Sequence, residues 1–382
     1  MKILAIICEF NPFHNGHRYL IEQAKETTRC DAVLCIMSGS FTQRGEMCVL
    51  DKYTRAKHAV LSGADCVIQL PAAFAVAPAE IFAKGAIKVL SSIPDVSLLA
   101  FGCEHGSNQS FIRAAASLSD EPKKFKSILT DKLSEGESYV KSYAAAFTAC
   151  GGDDNLITSP NNILGLEYAK AILNAKANID IVPIKRIGSG YKDDAIKNNY
   201  SSASAIRANI DSTQIKSNVP KHVFEDLQNA RNGDYEAALR HFLFNADINN
   251  MKRIYGCTEG LENKLKSLVN LPTDEIIKGA TSRRYSSSRI RRILCANALE
   301  LYRDDCEKYL NGELYIKPLA VDKRKADDIL SALAKSSYPV VTGINDGRLC
   351  EAAKQCFATD ANEFAFYNML TGSDKKDYMI IV

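Results

Sequence analysis

Five short apolar runs, each followed by a helical pattern, limit what this chain can become. "KILAIIC" (2–8), "DAVLCIMS" (31–38), "DCVIQLP" (65–71), "DVSLLAFG" (95–102) and "IDIVPIKRI" (179–187) have strand character. Between them, "HRYLIEQAKE" carries Leu20, Ile21 and Ala24 at helical spacing, and "DKYTRAKHAVLSG" closes on Gly63. "AEIFAKGAIKVLSSI", two stretches at 108–118 and 121–150, and "SPNNILGLEYAKAILNAK" read as further helices. The strands are apolar on both faces. That pattern predicts an α/β fold with a parallel five-stranded sheet covered by helices.

After about residue 210 the alternation stops. Residues 220–310 show helical patterns and no strand, and then "ELYIKPLAV", "ADDILSALAKS" and "YPVVTGI" read as strand, helix, strand. Three regions are expected: 1–212, a helical and basic region at 213–310, and a small α/β region at 311–382, with the first break near "ANIDSTQIKSNVP". Hydrophobic residues make up 46% of the chain, which excludes wholesale disorder. No stretch approaches the ~20 apolar residues of a membrane span. The twelve cysteines include no C-x-x-C and no zinc-finger spacing, so reduced thiols and a cytoplasmic protein are expected. A net charge of +3 is too small to demand a polyanionic partner, so only local charge can argue for one.

The first turn carries the chemistry. "CEFNPFHNGHRYLIEQAKE" (8–26) sets His14 and His17 three apart, with Gly16 between, where the first strand opens into a helix. It is neither a P-loop nor a G-x-G-x-x-G turn, yet it holds their position, at helix N–H groups that favour anions. Gly16 lacks a Cβ, so a base or phosphate can approach the backbone. The histidines can donate to phosphate oxygens and, when protonated, offset charge building on phosphorus. A metal on His-x-x-His lacks an apparent third ligand, and two locally hydrogen-bonded histidines are the plain alternative. A second anion-binding turn is "YSSASAIRANI" (200–210), where Ser201, Ser202 and Ser204 can cap or donate and Arg207 adds charge.

"EFNPFHNGH", "SGSFTQRGE", "LDKYTRAKHAVLSGADCVIQLP", "FGCEHG", "SPNNILGLEYAKAI", "PIKRIGSGY", "SSASAIR" and "TSRRYSSSRIRRIL" together resemble the bacterial tRNA(Met) cytidine acetate ligase family, within the HxGH nucleotidyltransferase superfamily. The resemblance covers most of residues 1–300. It implies a Rossmann-like nucleotidyltransferase domain with strand order 3-2-1-4-5, ATP-dependent activation of free acetate, and acetylation of the wobble cytidine N4 of elongator tRNA(Met) to N4-acetylcytidine. It assigns ATP to Ile7, Cys8, Glu9, Phe10, Asn11, Pro12, Phe13, His14, Asn15, Gly16, His17, Arg18, Tyr19 and Leu20, then to Gly102, Asn161 or Asn162, and Arg186. In that order the first and fourth strands meet at the switch point, where the topology rule places a ligand. Phe10 stands where relatives usually have tyrosine, and Ser286–Ser288 where many carry a histidine.

Two further stretches have candidate roles. "SGSFTQRGE" (38–46) offers Ser40, Thr42 and Arg44 for acetate or pyrophosphate, with Lys52 and Arg55 in the helix behind. "KGATSRRYSSSRIRRIL" holds no acid; its Arg283, Arg284, Arg289, Arg291 and Arg292 suit RNA phosphates, and Tyr285 a base. The expected reaction has two steps: acetyl-adenylate forms with loss of pyrophosphate, and the cytidine amine then displaces AMP. His14, His17, Ser202 and Arg207 act on the first, and Mg²⁺ bridges the phosphates. A small-molecule nucleotidyltransferase is the alternative, but it leaves the arginine cluster without a role. A non-catalytic RNA-binding protein leaves the histidines without one.

Overall fold

The computed structural model describes residues 1–118, 123–137, 139–187, 196, 199–230, 233–343 and 346–382. The strands are β1 (Ile3–Cys8), β2 (Ala32–Ser38), β3 (Cys66–Leu70), β4 (Val96–Cys103), β5 (Asp180–Lys185), β6 (Pro318–Val321) and β7 (Ile380–Ile381). They form one sheet in the order β5-β4-β1-β2-β3-β6-β7. The first five are mutually parallel, with Ile3 beside Ala32, Ile6 beside Ala100 and Gly102 beside Ile184. The direction of winding reverses between β1 and β4, so their carboxyl ends flank a crevice.

The expected parallel five-stranded core is present, and the sheet has seven strands because the C-terminal segment adds two. β6 pairs antiparallel with β3, and β7 parallel with β6. They cover an edge that would otherwise present unpaired N–H and C=O groups. The strand expected at 338–344 is reduced to a bridge from Val340 to Ile316; residues 344 and 345 lie outside the described residues.

The helices that position the site are α1 (Asn15–Thr28), α2 (Lys52–Leu61), α3 (Ala79–Ser91), α4 (Pro160–Ala175), α5 (Ala203–Ala208), α6 (Tyr235–Asn245), α7 (Ser287–Ala298) and α8 (Glu351–Thr371). Their starts follow local chemistry. Asp51 accepts from the N–H groups of Tyr53 and Thr54 to open α2, and Ser159 caps α4 ahead of Pro160. Alternate strand residues feed two cores, as a period of two requires. Ile3, Ala5, Leu34 and Ile36 join α3 and α4. Leu4, Ile6, Val33 and Cys35 join α1, α2 and the helices between Lys221 and Ala298. Among the described residues, no helix is long and apolar enough to cross a membrane.

Helix α8 was not legible in the sequence. It inserts two carboxylates beneath the sheet's carboxyl edge. Asp360 accepts from the Ala72 N–H at 2.7 Å and the Tyr315 hydroxyl at 2.6 Å. Glu363 accepts from the backbone N–H groups of Ser40 and Phe41. Lys52 and Lys317, both buried, meet at Asp377 with N–O distances of 2.8 and 2.5 Å.

Candidate nucleotide crevice

The two histidines hold each other. His14 is the N-cap of α1: its Nδ1 accepts from the Gly16 N–H at 3.0 Å, and its own N–H donates to His17 Nδ1 at 3.2 Å. This is a capping box built from imidazoles. Both Nδ1 atoms accept, so each ring carries its proton on Nε2 and can donate it. The rings stack at 3.6 Å, and Phe10 and Phe13 pack against His17 at 4.9 and 5.6 Å. Gly16 has a tighter reason than ligand approach: a Cβ there would lie 2.9 Å from His14 Cε1.

Burial, then the charges of Arg186 and Arg207, pull His14 down to about 3. Burial, then His14 and Arg186, hold His17 well below its ordinary value. The resting pair is therefore neutral at pH 7. It acts as N–H donors, and the imidazolium role expected from sequence is not the resting state.

Several ties fix the turn that precedes α1. Phe10 sits at φ 47°, in the left-handed region. Arg55, fully buried, donates to the Glu9 carbonyl at 2.5 Å and to the Leu50, Ser38 and Gly39 carbonyls. Asn11 accepts from Val49 N–H at 2.9 Å through its side chain and from Arg207 at 2.7 Å through its carbonyl. Asn218 joins the two anion-binding turns: its carbonyl accepts from Asn15 N–H at 2.9 Å and its Oδ1 from Ser201 N–H at 2.8 Å. Sequence reading gave Asn218 no role, since its neighbours look like an ordinary polar linker.

These turns line a crevice of about 540 Å³ at the carboxyl edge of β1, β4 and β5. Ile7, Cys8, Glu9, Phe10, Asn11, His14, Gly16, His17, Tyr19, Leu20, Gly102, Asn161, Arg186, Thr42, Arg44, Ser202 and Arg207 face it. Ser202 also caps α5 by accepting from Ala205 N–H at 3.0 Å. Arg207 pairs with Glu46 at 2.7 Å. A Cβ on Gly102 would lie 3.1 Å from Arg186 Cγ, so that glycine lets the guanidinium lie across β4. Glu104, which sequence reading left without a role, accepts from Ser159 and Asn161 at 2.6 Å each and lies 3.5 Å from Arg186.

Other candidate residues lie elsewhere. Asn162 is fully buried: it accepts from Glu104 N–H and donates to the His105 and Asn155 carbonyls, so its amide is used in holding the turn after β4. Phe13 is core, and Pro12 is buried beside it. Asn15 donates to the Asn199 and Ser217 carbonyls, and exposed Arg18 lies 3.6 Å from Glu22. Ser40 is buried against Glu363 and does not face the crevice. Lys52 and Arg55 are also away from it, in the ties already described. Of "PIKRIGSGY", Gly188–Tyr191 lie outside the described residues.

The arginine-rich segment divides. Arg283 and Arg284 are exposed, and Arg284 pairs with Glu259 at 3.0 Å. Arg289 donates to the Gly256 carbonyl and covers the Tyr285 ring at 4.6 Å, so one face of that ring is already occupied. Arg291 pairs with Glu236 at 2.6 Å. The acids missing from the run come from elsewhere in the chain: Glu236 from α6 and Glu259 from a turn. Arg292 points the opposite way, into the crevice wall with Ser288.

Gly45 explains how α7 comes so near. It has φ +73°, and a Cβ would lie 2.7 Å from both the Arg291 carbonyl and Arg292 Cα. Gly45→Ala should cost about 2–4 kcal/mol from left-handed strain and overpacking, read as a lower denaturation midpoint. A midpoint equal to that of the parent chain would show that the loop and α7 do not meet as described.

Among the described residues, no group of three or more His, Cys, Asp or Glu side chains could hold a metal ion. The two crevice carboxylates are engaged: Glu9 accepts from Gln43 N–H at 2.6 Å, and Glu46 from Arg207. Burial raises Glu9 above its ordinary carboxyl value.

A family model described as HIGH Nucleotidyl Transferase matches residues 1–379. The chain is 34% identical to the tRNA(Met) cytidine acetate ligase of Acetivibrio thermocellus, over 91% of this chain and 89% of that protein. It is 37% identical to that of Clostridium novyi, over 77% and 78%. The crystal structure of Thermotoga maritima TmcAL bound with alpha-thio ATP aligns over 100% of both chains, with a TM-score of 0.88 and 28% identity.

Proposed function

The chain belongs to the HIGH nucleotidyl transferase family, alongside the tRNA(Met) cytidine acetate ligases, and from that premise we propose that it activates acetate with ATP and acetylates the wobble cytidine N4 of elongator tRNA(Met). The observation that carries this reading is the stacked, mutually capped His14–His17 pair at the carboxyl end of β1, facing Ser202 and Arg207 across one crevice. An acetate oxygen attacks the α-phosphorus, the bond to the bridging oxygen breaks, and pyrophosphate leaves. The two Nε2–H groups donate to phosphate oxygens as charge builds there, and being neutral they need no protonation step. The cytidine amine then attacks the acetyl carbon, loses a proton, and AMP departs. The unstacked bases of an anticodon loop make that amine accessible.

Asn161 and Arg186, held through Glu104, fit the nucleoside end, and Thr42 and Arg44 fit the acetate or pyrophosphate side. Mg²⁺ would travel with the nucleotide phosphates, because among the described residues the crevice offers no carboxylate cage of its own. Acetate-dependent exchange of labelled pyrophosphate into ATP, without tRNA, tests the first step. Labelled acetate with total tRNA, followed by nucleoside analysis, tests the second. Exchange driven by a phosphorylated cofactor precursor instead of acetate would replace this reading.

The exposed Arg283 and Arg284 are the candidates for the tRNA side. Replacing both by Ala should reduce the slope of log affinity against log salt by about 1 to 2 for tRNA and leave ATP affinity unchanged. Equal losses for both ligands would remove them from that role.

A further inference from the structure

The segment that looks most like an RNA-binding helix has one arginine that faces the chemistry. Ser288 and Arg292 are four apart on α7, so they share a face, and both line the crevice that holds His14, His17, Ser202 and Arg207. Arg292 Nε is buried with no hydrogen-bond partner, and Nη1 reaches only the Gln43 carbonyl at 3.4 Å. The neighbouring carboxylates are already engaged: Glu236 by Arg291, Glu259 by Arg284, Glu46 by Arg207, and Glu9 by the Gln43 N–H. The charges that act most on Arg292 are those of Arg289 and Arg44, both cations. Burial, then Arg289 and Arg44, pull its guanidinium down to about 10. Gly45 pins α7 against the loop that carries Thr42 and Arg44, so these groups cannot drift apart. A guanidinium held among cations, with an unused buried N–H, suits an arriving anion.

We propose that Arg292 and Ser288, opposite Thr42 and Arg44, form a second anion subsite of the crevice, which binds the acetate carboxylate or the pyrophosphate group, and that Arg292 is not a tRNA ligand. This rests on the acetate-ligase reading. Both ligands present the same chemistry, a compact anionic oxygen cluster that a guanidinium fork can grip from the side opposite the histidines.

The test is acetate-dependent pyrophosphate exchange in the absence of tRNA, with Arg292→Gln, Ser288→Ala and Lys354→Ala. Arg292→Gln should lower exchange kcat/KM at least tenfold, with tRNA affinity within twofold of the parent chain. A raised KM for acetate identifies the carboxylate as the occupant, and a raised KM for pyrophosphate the polyphosphate; either supports the subsite. Ser288→Ala should move the same constant several-fold and gives the answer if Arg292→Gln does not fold. Lys354→Ala, exposed on α8 and outside the crevice lining, should leave exchange unchanged. Unchanged exchange in both Arg292→Gln and Ser288→Ala, or a tRNA-binding loss with normal exchange, would overturn the proposal. Absence of acetate-dependent exchange in the parent chain would instead count against the acetate-ligase reading. Titration of pyrophosphate into parent and Arg292→Gln protein then decides the subsite by itself: weaker binding by the variant supports it, and equal binding removes it.

Discussion

His14→Asn should fold normally and lose 10²- to 10³-fold (order of magnitude) in acetate-dependent pyrophosphate exchange. Asparagine is a good N-cap, so its side-chain oxygen can still accept from the Gly16 N–H, and the start of α1 should be stable to within about 1 kcal/mol. What disappears is the Nε2–H donor and the ring stacked on His17. His17→Ala should lose a similar factor. It also removes the acceptor for His14 N–H and the ring that packs on Phe10 and Phe13, so some loss of stability accompanies it. The informative measurement is exchange rate and denaturation midpoint on the same samples. If His14→Asn keeps the stability of the parent chain and also its rate within a few-fold, the histidines have no part in stabilising the first transition state.

Glu363→Ala should be the most damaging single change to stability, at about 3–5 kcal/mol. It leaves the N–H groups of Ser40 and Phe41 without their acceptor, and it removes the carboxyl group that lies near the buried Lys52 and Arg55. Denaturant unfolding measures it; a loss below about 1 kcal/mol would mean that α8 does not anchor that loop. The same residue gives a pH signature. Burial pushes the Glu363 carboxyl up to about 7, against the influence of Lys52. Between roughly pH 4.3 and 7 the folded chain therefore holds a proton that the unfolded chain has released. The stability this group contributes is complete below that window and is lost as pH rises through 7, at up to about 1.4 kcal/mol per unit. Glu363→Gln has no such proton. Its unfolding free energy should gain on that of the parent chain between pH 5 and 8, and parallel curves would exclude the shift.

The strands and the first turn were readable because their signals are local. Runs such as "KILAIIC" are apolar on both faces, and His14, Gly16 and His17 lie within one helical turn. Signals that depend on distant partners were hidden. Helix α8 was missed because Asp360 and Glu363 interrupt its apolar pattern and look like solvent-facing acids. Only their burial against Ala72, Ser40 and Phe41 explains them. Ser40 looked like a free hydroxyl for the same reason, since Glu363 is remote in sequence. The arginine run seemed free of acid because Glu236 and Glu259 lie elsewhere in the chain, one on α6 and one in a turn. Helical spacing shows that Ser288 and Arg292 share a face, but not what the face meets. The choice between Asn161 and Asn162 is likewise a matter of direction: neighbours in sequence, one toward the crevice and one into the turn behind β4.

The late arrival of β6 and α8 affects how the protein is made. When a ribosome has released only the first five strands, β3 is still a raw margin and the 39–42 loop has no carboxylate to hang from. Such a nascent chain can hold its nucleotide pocket only loosely, and its open strand invites pairing with another chain. Competence therefore waits for the last helix, and a prematurely terminated product would be a clumping hazard rather than a half-working enzyme.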